Sequence, residues 1–131
     1  MKKHVFVYGS LRTNGQFDIN TWSPAPVFIG SATINAQLYK IDLYPGISVG
    51  GDKKVIGEVY QITSKLEKIL DKIEGIGVHD DYMKSTVTAL VNGTQIECLV
   101  YEMNGKHKII DNLIETGDWF NQSKKVKRLK S

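Results

Sequence analysis

The apolar positions in the first half of the chain follow the alternation and short runs typical of β-strands. A run at residues 5–8, VFVY, ends abruptly at the glycine and serine that follow it. A longer β-rich stretch, VFIGSATINAQLYKIDLY, extends to a turn signal, YPG, at residues 44–46. The segments ISV and KVIGEVYQI then flank GGD at residues 50–52, which predicts a β-hairpin. The first half is therefore predicted to be mostly strand.

The hydrophobic period changes at Ser64. Apolar residues then recur at the i, i+3, i+4 and i+7 positions of one helical face: Leu66, Ile69, Leu70 and Ile73. Ser64 and Glu67 have the spacing of a capping box, which predicts that the helix begins there. Gly75 is a natural stop, so this pattern predicts a central helix that ends next to Glu74.

The second half returns to strand patterns. The segments YMKSTVTALV and TQIECLVYEM flank Asn92-Gly93, one of the clearest hairpin signals a sequence can carry. Apolar residues at positions 109, 110, 113 and 114 predict a short final helix. Strands outnumber helices without regular β-α alternation, so the predicted class is α+β, with a mixed, mostly antiparallel, barrel-like sheet flanked by a few helices.

The composition is that of one ordinary globular domain. The chain has 131 residues, of which 41% are hydrophobic and 24% charged. Five basic side chains fall within residues 124–131, so we predict a single domain over residues 1–123 and a basic tail after it. The tail carries no interleaved aromatic residues, which disfavours a nucleic-acid partner and favours a solvated terminus.

The single cysteine, Cys98, can form no internal disulfide, which fits a reducing compartment. The apolar run behind the N-terminal lysines, residues 5–8, is shorter than the core of a signal peptide, and no later stretch is long enough to cross a bilayer. We therefore expect a cytoplasmic protein without a membrane partner. The sequence does not predict the oligomeric state.

The first candidate for chemistry is the segment YGSLR at residues 8–12. A glycine directly after a strand lets the chain turn so that successive backbone N–H groups point into one concavity, which suits a carboxylate or an oxyanion. A plain strand-to-loop turn explains the same five residues. The segment is neither a phosphate-binding loop nor a nucleophile elbow, because the lysine and glycines of those motifs are missing.

The second candidate is Glu74, in the segment LEKILDKIEGIG. Helical geometry puts it about 90° from the middle of the apolar face and one residue before the predicted helix stop. Partial burial and the negative end of the helix both disfavour a carboxylate anion, so the pKa of Glu74 is expected to rise toward the range of a useful base. An exposed glutamate that ends a helix remains the simpler interpretation.

Two other segments carry residue types that are common in functional sites, but both favour structural interpretations. His79-Asp80-Asp81 could suggest a metal, but three consecutive side chains diverge and no second histidine has helical ligand spacing, so a solvated loop is favoured. A hydrolase that combines Ser10 with His79 and Asp80 lacks any elbow motif. Trp119, in the segment GDW, is interpreted as a structural lid at the edge of the core.

Together these segments resemble one protein family. The chain is similar to gamma-glutamylcyclotransferase-like proteins, which include the AIG2-like proteins, in VYGSLR at the end of the first strand, LYPG about thirty residues later, LDKIEG at the end of the helix and the late GDW. The resemblance runs from about Val5 to Trp119. It differs at Tyr82-Met83-Lys84, where many relatives have arginine two residues after the tyrosine. Substrate identity is therefore left open.

The resemblance implies a small mixed β-barrel with a cavity between the glycine loop and a catalytic glutamate. It implies that Tyr8, Gly9, Ser10 and Leu11 bind a gamma-glutamyl group and that Glu74 is the acid/base. The implied reaction forms 5-oxoproline and releases an amine from a small gamma-glutamyl substrate, without a cofactor or metal. A non-catalytic module that binds small molecules on the same fold is the alternative.

Overall fold

The computed structural model describes residues 2–41, 44–77, 82–103 and 113–121. In chain order the elements are β1 (Lys2–Val7), β2 (Val27–Ile41), β3 (Tyr44–Thr63), α1 (Ser64–Ile73), β4 (Tyr82–Val91) and β5 (Thr94–Met103), with short 3-10 helices at Ile19–Thr21 and Trp119–Asn121. Among the described residues, no helix is both long and apolar enough to span a membrane.

The five strands close into a barrel in the order β1-β3-β2-β4-β5. Neighbouring strands are antiparallel except β1 and β5, which meet in parallel where Val5 pairs with Leu99. The predicted α+β class with a mixed, mostly antiparallel barrel is confirmed. The described residues contain one α-helix, and most of the second predicted helix lies outside them.

Strand alternation divides the core into two layers. Phe6, Val59 and Val100 belong to the cluster that fills the barrel, whereas their chain neighbours contribute to a second cluster that includes the apolar face of α1. Leu66 and Leu70 are fully buried in this second layer. The helix is therefore held against the outside of the barrel, with its C-terminal end beside the end of β1.

The predicted hairpin at residues 50–52 is wrong. Ala36 pairs with Val49 and Asn35 pairs with Lys54, so residues 50–53 bulge out while β3 continues along the same partner. The 15 residues of β2 are enough to pair with both halves of β3, and antiparallel pairing therefore continues past the two glycines. The predicted turn at residues 44–46 also lies within β3.

Other local predictions have mixed outcomes. The Asn92-Gly93 hairpin is confirmed, since both residues have the positive φ of a type I′ turn, 50° and 81°. Most of the predicted final helix lies outside the described residues, and Leu113, which is described, instead forms an isolated bridge with Tyr39. Trp119 packs against the barrel cluster, as its interpretation as a lid requires.

Candidate active site

A cavity of about 360 Å³ opens between the loop after β1, the end of α1 and two tyrosines of the barrel. Its lining residues are Phe6, Val7, Tyr8, Gly9, Ser10, Leu11, Phe17, Pro45, Lys72, Ile73, Glu74, Gly75, Tyr82 and Tyr101. All five residues predicted for the site, Tyr8, Gly9, Ser10, Leu11 and Glu74, therefore share one cavity. Its volume is in the range typical of small-molecule sites, about 300–1,000 Å³.

The loop after β1 has its carbonyl groups engaged and its N–H groups available. The carbonyls of Gly9, Ser10 and Leu11 accept from backbone N–H groups farther along the loop, at 3.0, 2.8 and 2.9 Å respectively. Within the described part of the chain, the N–H groups of these same three residues have no hydrogen-bond partner. A segment that lines a cavity and has three successive N–H groups without a described partner is a candidate anion-binding loop.

Gly9 is required by its surroundings. A Cβ built on it would lie 2.2 Å from Cγ of Pro45, the residue of β3 that backs the loop. Any larger residue would push the loop off β3. The glycine thus allows a close approach between two segments 36 positions apart, a constraint that the sequence pattern alone did not reveal.

Glu74 is held at the cavity by the way α1 ends. It is the C-cap residue, and Gly75 follows with φ of 73°. The N–H of Gly75 donates to the carbonyl of Lys72 at 3.1 Å, and the N–H of Ile76 donates to that of Asp71 at 2.9 Å. This pair of bonds is the Schellman motif, which ends the helix and fixes the backbone position of its C-cap residue, Glu74.

Burial changes the acidity of Glu74. Desolvation raises its pKa from 4.5 to about 7, because the charged form loses contact with water. A carboxyl group with this pKa can both accept and donate a proton near neutral pH. The cause is the burial predicted from the helical face.

Two tyrosines of the cavity are neutral hydrogen-bond donors. The Tyr8 hydroxyl donates to the carbonyl of Tyr101 at 2.6 Å, and the Tyr101 hydroxyl donates to Oδ1 of Asp71 at 2.6 Å. Burial is the main cause that raises the pKa of each phenol. Both phenols are therefore protonated at neutral pH, whereas the pKa of Glu74 lies close to neutrality.

The Tyr82-Met83-Lys84 segment is divided between two roles. Tyr82 lines the cavity, and its hydroxyl donates to the carbonyl of Pro45 at 2.5 Å. Lys84 does not line the cavity. Its ammonium group instead forms ion pairs with Glu67 at 2.5 Å and with Asp71 at 3.2 Å. The lysine that departs from the family pattern therefore holds α1 against β4.

Glu67 does not have its predicted capping role. The N-cap of α1 is Thr63, whose side chain accepts from the N–H of Leu66 at 3.1 Å. The predicted capping box does not form, because the third residue after this N-cap is leucine, which cannot bond back. Glu67 is instead buried between Lys84 and Lys3. The distant lysines, which no local pattern links to the helix, decide its environment.

Several site residues were not predicted from the sequence. Phe17, Pro45, Ile73 and Tyr101 line the cavity but lie on four different segments. The strand pattern places Tyr101 on one face of β5 without indicating what that face meets. His79, Asp80 and Asp81 lie outside the described residues, as does the basic tail, 124–131.

The chain matches a known protein family. The family model for gamma-glutamyl cyclotransferase, AIG2-like, matches residues 5–121. The chain is 30% identical over 122 residues to a Methanocaldococcus jannaschii protein named "Putative gamma-glutamylcyclotransferase MJ1514", covering 89% of this chain and 95% of that protein.

Solved structures share the fold. YkqA from Bacillus subtilis superposes with a TM-score of 0.75 at 23% identity, over 98% of this chain, which spans only 43% of YkqA. An AIG2-like protein from Mus musculus superposes with a TM-score of 0.69 at 20% identity, over 84% of this chain and 81% of that one. At these identities the likeness concerns the fold. Because the family model matches residues 5–121 of its 131 residues, the chain belongs to the gamma-glutamyl cyclotransferase, AIG2-like family.

Proposed function

We propose that this protein is an enzyme that cyclises a gamma-glutamyl amide or amine to 5-oxoproline and releases the amine. The observation that carries the proposal is the position of Glu74, with a pKa of about 7, on the same cavity wall as three free backbone N–H donors. Family membership supports an enzyme of this type and leaves the substrate open.

The reaction needs no nucleophile from the protein. The Glu74 carboxylate takes a proton from the substrate's α-ammonium group, and the free amine attacks the γ-carbonyl carbon to form a five-membered ring. The protonated Glu74 returns that proton to the leaving nitrogen as its bond to carbon breaks. The extra proton of the ring nitrogen passes to the released amine, so the products are 5-oxoproline and the protonated amine, and Glu74 is again a carboxylate. One carboxyl group of raised pKa serves both transfers.

The cavity supplies the folded conformation that this attack requires. The N–H groups of residues 9–11 bind the α-carboxylate, while the apolar wall of Phe6, Phe17 and Ile73 excludes water from the glutamyl chain. Because the cavity holds the amine in contact with the carbonyl, the entropy of bringing them together is lost on binding and not in the reaction step. This orientation effect can lower an activation barrier by several kcal/mol, about 7 or more in favourable cases.

Replacement of the acid/base tests the proposal. Glu74→Gln keeps the size and much of the hydrogen-bonding capacity of the side chain but cannot transfer a proton. We expect the variant to fold and to lose about 10²–10⁴-fold in kcat. The assay measures 5-oxoproline from a panel of gamma-glutamyl amines, amino acids and peptides.

Glu97→Gln is the matched control, because it makes the same chemical change at an exposed position of β5 away from the cavity. It should retain parental activity. Full 5-oxoproline formation by Glu74→Gln would eliminate the proposed mechanism. If the wild-type protein bound a gamma-glutamyl compound but converted none in the panel, a non-catalytic binding module would replace the enzyme.

A further inference from the structure

We propose that Arg12 is a positioning residue that ties the anion-binding loop to β3 and to the distant segment 117–121, and so keeps the N–H donors of Gly9, Ser10 and Leu11 aligned for the substrate's carboxylate. The inference rests on the proposed function for the identity of the ligand. The positioning role itself concerns the free protein and has its own readout.

Arg12 is a nearly buried cation between two carboxylates. Its Nε donates to Glu58 at 2.9 Å and its Nη1 donates to Asp118 at 2.8 Å, while its side chain is only 12% exposed. Such a fork can bind two carboxylates from different segments at once, which the ammonium group of lysine cannot do with the same rigidity. Arg12 therefore joins three parts of the chain.

Glu58 also holds the loop through its backbone. Its second oxygen, Oε1, accepts the N–H of Thr13 at 2.9 Å, so one buried carboxylate of β3 binds both the side chain of Arg12 and the next peptide group. The N–H of Arg12 in turn donates to the carbonyl of Gly9 at 3.0 Å. These bonds engage the groups after the anion-binding donors and leave the donors themselves free.

Segment 117–121 is itself firmly docked. The N–H of Ile56 donates to the carbonyl of Gly117 at 2.8 Å, and a Cβ on Gly117 would lie 2.0 Å from the carbonyl oxygen of Lys54. Oδ1 of Asp118 accepts both the guanidinium group of Arg12 and the N–H of Phe120 at 3.0 Å. The Phe120 ring lies 4.4 Å from the guanidinium carbon and covers it. Asp118 therefore presents a fixed carboxylate to the loop.

The lining residues 9–11 belong to no strand or helix, so the contacts of Arg12 and Thr13 are what would hold them in place. Arg12 itself is not a lining residue of the cavity. It acts on a ligand only through the loop, so its loss should affect binding of the carboxylate more than proton transfer by Glu74, which stands on a different element.

The test compares Arg12→Lys, Arg12→Met and Asp118→Asn with the wild-type protein, using gamma-glutamyl-alanine as the probe. Backbone NMR relaxation of Gly9, Ser10 and Leu11 reports loop order in the absence of ligand. We expect these amides to become mobile on the nanosecond timescale in Arg12→Met and Asp118→Asn, and KM to rise about tenfold or more with a smaller change in kcat. Arg12→Lys should recover stability more fully than it recovers KM.

Val87→Ala is the control, because Val87 lies in the barrel cluster and does not line the cavity. It should reduce stability without changing KM or the loop amides. Asp118→Asn serves if Arg12→Met fails to fold because Glu58 is left buried and unpaired. Unchanged loop order and unchanged KM in Asp118→Asn and Arg12→Lys would overturn the positioning role, as would a KM change of the same size in Val87→Ala.

The outcomes separate this inference from the proposed function. If the wild-type protein neither binds nor converts gamma-glutamyl-alanine or any member of the panel, the proposed function fails, while the NMR comparison still decides whether Arg12 orders the loop. If the wild-type protein turns the probe over and the variants keep both an ordered loop and the wild-type KM, the positioning role fails alone.

Discussion

At the scale of single residues, α1 carries two glutamates whose surroundings give them opposite properties. Burial would raise the pKa of Glu67, but hydrogen bonds from Lys84 and Lys3 outweigh it and hold the pKa below its usual value. Glu74 has no such partner among the described residues, and desolvation raises its pKa to about 7. Two carboxylates on one helix are thereby separated into a permanent anion that fastens the helix and a group that exchanges a proton.

The raised pKa of Glu74 predicts a pH-dependent stability cost. Between pH 4.5 and about 7 the unfolded state releases this proton while the folded state keeps it, so stability decreases as pH rises, and the cost is fully present above pH 7. The shift corresponds to a cost on the order of 3 kcal/mol. Glu74→Gln should therefore be more stable than wild type at pH 8, with the difference nearly gone at pH 4.

Urea unfolding at several pH values measures this difference, with Glu97→Gln as the control for a surface carboxylate. A stability difference between Glu74→Gln and wild type that stayed constant from pH 4 to pH 8 would show that the folded and unfolded pKa values of Glu74 are alike.

At the scale of elements, the two ends of α1 have different functions. Thr63 caps the N-terminal end, and Lys84 fastens the middle to β4 through Glu67 and Asp71. The C-terminal end carries the site, because the Schellman motif sets the direction of Glu74. Loss of a cap in general costs stability, but here the C-terminal cap also determines where the Glu74 carboxylate lies in the cavity.

Gly75→Ala tests this coupling. The residue has φ of 73°, a conformation that alanine adopts at a cost of about 1 kcal/mol. We expect a loss of about that size in the free energy of unfolding, together with a lower kcat, because the helix end and Glu74 shift together. Urea unfolding and the 5-oxoproline assay measure the two effects.

Lys68→Ala, at an exposed position of the same helix, is the control and should change neither quantity appreciably. The coupling would be refuted if Gly75→Ala lost stability but kept the wild-type kcat and the wild-type pH profile of turnover.

At the scale of the whole molecule, barrel closure brings the ends of the described chain to the same site. The parallel contact of β1 with β5 places the loop after Val7 beside Tyr101, and the 3-10 helix at 119–121 lies against Arg12. The cavity is therefore a product of closure, since residues from five separate segments meet there.

Every residue that closes the barrel or lines the cavity in the described structure precedes position 122. We therefore predict that removal of the eight residues after Ser123 leaves turnover at the parental level and Tm within about 2 °C. A change of that size in Tm corresponds to a change of less than about 1 kcal/mol in the free energy of unfolding. Thermal unfolding and the 5-oxoproline assay check this prediction. A large loss of either would show that the tail contributes to the folded domain.

The sequence by itself determined the features that depend on neighbouring residues. The Asn92-Gly93 hairpin follows from two residues that accept positive φ, and the apolar face and glycine stop of α1 follow from helical periodicity. The position of Glu74 at the edge of that face, and hence its burial, could be inferred in the same way. The glycine loop could be located, although a simple turn explained it equally well.

Only the tertiary structure decided features that join distant positions. Two glycines at 50 and 51 are consistent with a hairpin until the length of β2 shows that pairing continues past them. Glu67 is paired with Lys84, which is 17 positions away in the sequence. Arg12 is paired with Asp118, which is 106 positions away. Local conformational preference depends on residues that are adjacent in the sequence, so it can be read from the sequence. The pairing of buried charged side chains depends on distant groups, which come within hydrogen-bonding distance only when the barrel closes.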